Sequence, residues 1–235
     1  MKKLLWVAVV VLVIVLGKRW VDGDTPLSLV SVEIKNPYAP TSPLHPASQR
    51  FVDGINADPR LKSRFAGVFT RRGIYSEVST ALKRGAMSLD GPVLVGATTA
   101  MARALPHLDT HSCAQSLRER DTFDEAVSAK MRVAFEQISP RHHAALMDFY
   151  LQALKAEVDN APERPLDEAA LRVALNNLGS QYQGPFAERF VNAMRDKASA
   201  ADEDLCWAGK TVLHGVTLMG ARDREVLSRW AISGR

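Results

Sequence analysis

The sequence predicts an all-α protein: a single transmembrane helix over residues 1–21, a proline-rich linker over 22–47, and a helical domain over 48–235 of about eight to ten short helices. Three observations lead there. Positions 4–17 carry no polar side chain, Pro26, Pro37, Pro40, Pro43 and Pro46 crowd into the second segment, and beyond residue 48 apolar residues recur at spacings of three and four. No Asn-Gly or Asp-Gly turn separates two alternating runs, so β-hairpins have no signal.

The first element begins Met1-Lys2-Lys3 and runs apolar from Leu4 to Gly17 before Lys18-Arg19. Counted to Val21, the run reaches the lower end of the spanning range, with Trp20 suited to the interface and Lys18 and Arg19 able to snorkel. Gly17-Lys18-Arg19-Trp20 offers no small-residue cleavage site, and no Cys follows to take a lipid, which favours an uncleaved signal anchor. Lys2, Lys3 and the terminal amine slightly outweigh Lys18 and Arg19, placing residues 22–235 outside the membrane.

The prolines of the second element exclude helix over most of its length, and a semi-rigid tether is expected. Fully extended at about 3.1 Å per residue, it would let the domain stand at most on the order of 80 Å from the membrane.

In the third element, residues 48–56, 58–71, 74–88 and 92–105 all favour helix. Thr122-Phe123-Asp124-Glu125 fits a capping box ahead of a stripe of Val127, Met131, Ala134 and Ile138. Ser139-Pro140 reads as a cap followed by proline in the first turn, with Leu146, Phe149, Tyr150 and Leu154 facing inward behind it. The turn Ala161-Pro162-Glu163-Arg164-Pro165 ends that helix, and a further stripe of Leu171, Ala174, Leu175 and Leu178 stops at Gly179. Gly184-Pro185 opens a helix with Phe186, Phe190 and Met194 on one side. Asp202 is expected to cap the next, with Leu205, Val212, Leu213, Val216 and Met219 inward as far as Gly220, and Val226, Leu227 and Trp230 mark a last helix.

Composition narrows the function classes. Hydrophobic residues at 46% and charged residues at 24% exclude a largely disordered chain. The net charge of +4 belongs to Lys2, Lys3, Lys18 and Arg19, and the rest of the chain holds 26 basic against 26 acidic residues. That balance argues against a nucleic-acid partner. It hides a separation, however. Arg60, Lys62, Arg64, Arg71, Arg72, Lys83 and Arg84 face only Glu77 in residues 60–85, whereas residues 119–168 are acidic overall. The basic stretch suits anionic lipid or an acidic protein face, or else it pairs with the acidic stretch.

Cys113 and Cys206 are the two cysteines, and in an exported domain they predict one disulfide. His107, Asp109, His111 and Cys113 alternate in what reads as a polar loop, without a recognised zinc spacing. His142-His143 is expected on a solvated face near a helix start. There is no G-x-S-x-G, H-E-x-x-H, Walker A or dinucleotide pattern. The chain therefore reads as a periplasm-facing helical interaction protein, held in a bacterial inner membrane through residues 4–21. Its expected partner is another envelope or secretion-related protein, and neither a cofactor nor a small-molecule ligand is implied. The alternative is a peptidoglycan hydrolase using Glu77 as its acid.

Overall fold

Short side chains at positions 96–104 set the centre of the fold, because they let neighbouring helices approach closely. In the computed structural model, which describes residues 34–66, 80–118, 125–182 and 184–233, every regular element is helical. The elements are α1 (His45–Asn56), α2 (Pro59–Ala66), α3 (80–86), α4 (Gly91–Ala104), a 3-10 turn (Leu105–His107), α5 (Thr110–Leu117) and α6 (Glu125–Glu136). Then come α7 (Pro140–Val158), α8 (Glu168–Gly179), α9 (Pro185–Arg195), α10 (Asp202–Leu218) and α11 (Ala221–Ser233).

Helix α4 buries Ala97, Ala100 and Ala104 and lies against α7 on one side and α10 and α11 on the other. The Thr98 hydroxyl satisfies itself inside this packing by donating to the Leu94 carbonyl at 2.9 Å. Helices α1, α2 and α3 pack on the far side of α7, with Gly85 of α3 so close that a Cβ there would sit 1.7 Å from the Ala153 carbonyl oxygen. On the opposite side α8 lies on α11, and α9 lies on α10. In the order of helix contacts α1–α3 are thus one pole and α8–α9 the other, although the turn after α3 meets α11 through Arg229, which donates to the Met87 and Leu89 carbonyls.

Residues 34–47, which composition assigns to the tether, belong to the folded unit. Ile34, Tyr38 and Leu44 are buried in the core. The Asn56 side chain clamps the backbone of Ile34 from both sides, accepting from its N–H at 3.0 Å and donating to its carbonyl at 2.7 Å. Pro46 sits in the first turn of α1, where a missing N–H costs nothing, so the helix starts inside the proline-rich stretch. Burial overrides the solvated placement expected for His143. Its ring is fully enclosed, Nδ1 lying 3.1 Å from the Pro43 carbonyl and Nε2 2.6 Å from that of Phe135, so it joins the strap, α6 and α7.

Two other expectations are corrected. The stretch around Cys113 is not a loop: Asp109 caps α5 by accepting from the Ser112 N–H at 2.9 Å. The N-cap of α10 is Ala201, and Asp202 stands inside the first turn with its carboxylate turned to other partners. Helix α7 ends at Val158, and Asn160, with a φ of 49° in the left-handed region, turns the chain just ahead of the expected Ala161–Pro165 turn. The expected transmembrane helix and the Thr122 capping box lie outside the described residues, among which no helix is long and apolar enough to cross a membrane.

Candidate interaction surfaces

Chemistry-bearing side chains gather in three places. At the α1–α3 pole, Arg60 bonds Asp58 at 3.0 Å and also reaches Asp159, while Arg84 reaches Glu157 at 3.3 Å. Two helices thereby send a guanidinium to the last turn of α7, and the early basic stretch meets the later acidic one. Cation and anion are not equally exposed. The side chain of Arg60 is 58% exposed against 13% for Asp58, and Arg84 63% against 17% for Glu157. The Arg60 hydrogen bond holds the Asp58 carboxyl below its ordinary range. Lys62 stands on α2, and Lys83 precedes Arg84 on α3. Arg64 also belongs to α2, whereas Arg71, Arg72 and Glu77 lie outside the described residues.

The second place joins α5 to α10. Cys113 and Cys206, both buried, form a disulfide of 2.08 Å across 93 positions. One turn along, α10 presents Gly209 to Leu117, and a Cβ there would fall 2.2 Å from a Leu117 methyl. At the start of α10, Asp202 takes His111 Nδ1 at 2.6 Å and Arg118 at 2.5 Å. These bonds, that to His111 foremost, lower the Asp202 carboxyl below its usual value. Arg118 also donates to the carbonyls of Lys197 and Ala200, at 3.3 and 2.7 Å, and so fixes the turn between α9 and α10. Asp109, His111 and Cys113 are thus committed to a cap, an ion pair and a disulfide.

The third place is the groove that this turn helps to form. Gly184, with a φ of 64°, swings the chain into α9, and Pro185 follows in its first turn. The Phe186, Phe190 and Met194 stripe is present, but only Ala193 of this helix is fully buried. Phe186 is 59% and Val191 47% exposed. Phe190, Val191 and Met194, with the 195–198 turn, line a groove of about 570 Å³. Arg189 holds the helix in place, its guanidinium 4.8 Å from the Trp207 ring and 2.6 Å from Asp204. The Phe186 ring rests against the same indole at 6.3 Å between centroids.

Periodicity identified this apolar stripe and not its exposure. A spacing of four says that one helix face is apolar, whereas whether another element covers it is a non-local matter. The chain matches no known protein family, no curated protein and no solved structure.

Proposed function

We propose that the chain is a membrane-anchored binding protein of the bacterial envelope, acting without catalysis, whose α9 groove receives an apolar segment of another envelope protein. The observation that carries this reading is the exposed apolar face of α9, held on a braced support. Single exposed apolar residues need no explanation, but Val191 lines a groove with Phe190 and Met194, and the exposed Phe186 lies on the same helix. The disulfide and the Arg118 bonds fix the turn at its rim, so little order has to be imposed on binding.

Chain geometry argues for a protein occupant in place of lipid. The segment arriving from residues 1–33 enters at Ile34, on the α1–α3 pole, and α8–α9 stand at the other. The groove is built on α9 and the turn before α10, not on the helices around which residues 34–44 pack, so on the anchored reading it is left free for a periplasmic partner. Photo-crosslinking from Phe186 and from Val191 in intact membranes tests this reading. Both positions are expected to give an adduct with the same envelope protein, lost in the other-site variant Met194→Glu, with none from Ser63 at the entry pole. Adducts that differ between the two positions, or that survive Met194→Glu, would overturn it.

A further inference from the structure

The geometry points to a second surface: the α1–α3 pole rests on the anionic headgroups of the membrane that carries the anchor. This inference builds on the anchored reading above. Its first support is the length of chain outside the fold. Because Ile34 is clamped to Asn56, the free tether shrinks from the expected 22–47 to residues 22–33. Even fully extended at about 3.1 Å per residue, those residues reach no more than roughly 37 Å, so on the anchored reading the pole carrying the clamp stays near the bilayer surface.

The second support is the charge arrangement there. Asp58 and Glu157 are more sheltered than the Arg60 and Arg84 side chains that pair with them, and exposed Lys35 stands beside the entry point. Asp159, which Arg60 also reaches, is the more exposed acid at 47%. An arginine already paired with a carboxylate keeps N–H donors for a phosphate, since its planar group offers five. A lipid surface fits this layout better than an acidic protein groove, because the same pole is the one the tether keeps at the membrane.

The test uses the full-length protein reconstituted into vesicles of phosphatidylcholine, alone or with roughly a third phosphatidylglycerol, at a charge content on which such attraction depends. A fluorescent amino acid replaces Ser63 on α2 or Asn176 on α8, and energy transfer is read to an acceptor at headgroup level. Transfer from position 63 is expected to exceed that from 176, to rise with phosphatidylglycerol and to fall back in high salt. Arg60→Gln with Arg84→Gln should reduce the ratio of docked to undocked protein by about fivefold per charge removed. Lys62→Gln, which leaves both ion pairs in place, should act in the same direction. Equal transfer from the two positions, or indifference to lipid charge, would overturn the proposal, as would a response to soluble polyglutamate in its place. Carbonate extraction separates the two readings: protein stripped from the vesicles refutes the anchor, whereas retained protein without a docked pole refutes only this surface.

Discussion

The two sides of the bundle differ in what they do with apolar side chains. Around α1, α4 and α7, Phe51, Phe135, Phe149 and Tyr150 are sealed in one continuous core. Around α8, α10 and α11 a smaller core holds Leu171, Val212, Leu227 and Trp230. Among the described residues Val133 on α6 is also half exposed, but the other large exposed apolar residues, Val173, Phe186, Val191 and Leu218, all come from α8–α10. One side buries nearly all of its apolar surface and holds the Cys113–Cys206 bond in its core, while the other leaves part of its apolar surface in water and is tied on by ion pairs at the start of α10. The comparison predicts that substitutions will separate stability from binding according to the side on which they fall.

The largest effect is expected at the crosslink that ties α10, which carries the smaller side, to α5 in the larger core. Cys113→Ser with Cys206→Ser should cost about 4–5 kcal/mol, measured by urea unfolding of oxidised and reduced protein. A double variant as stable as the oxidised parent would show that the α5–α10 packing suffices. Phe149→Ala comes next, since it empties a sealed site beside Tyr150, and about 4 kcal/mol should be lost on the same assay. Gly85→Ala, which drives a methyl into the main chain of Ala153, should cost about 3 kcal/mol.

A smaller contribution carries a pH signature. Asp202 has a folded value below its unfolded one, so its stabilisation is complete above about pH 4 and fades as pH falls through the lower folded value. The urea midpoint of the parent should exceed that of Asp202→Asn at pH 5, and the two should converge in more acid solution. The smallest change in stability is expected on α9. Phe186→Ser should shift the midpoint by no more than about 0.5 kcal/mol and still remove crosslinking through Val191. A large loss of stability there would mean that the apolar face serves the fold.

Local signals explain most of what could be read in advance. Ser139-Pro140 and Gly184-Pro185 mark helix starts as expected, and Leu146, Phe149, Tyr150, Leu205, Val212 and Leu213 face inward. Two cysteines leave one pairing, and the structure makes it. The errors arose where a partner lies far along the chain. Ile34 and Tyr38 follow no helical spacing because a strap docks on them one residue at a time, and no pattern announces Asn56 as its clamp. Asp202 looked like a cap and instead answers Arg118 and His111, about ninety positions away. The α5 cap was legible in Asp109 followed by Ser112, but Pro106 drew attention to a break in the chain. The basic stretch was visible by counting, whereas its pairing with more sheltered acids needed the fold.

The Cys113–Cys206 bond also determines how the protein would bear a load. Helix α9 lies inside the loop that this bond closes, and Ile34 lies outside it. Tension applied between Ile34 and α9 would run along the backbone to Cys113, cross the sulfurs to Cys206, and return through the 196–201 turn. Helices α6, α7 and α8 are bypassed by that path and stay slack. The covalent route is thereby shortened by the whole stretch from 114 to 184, making the domain a short, stiff link under pull as long as the bond is oxidised.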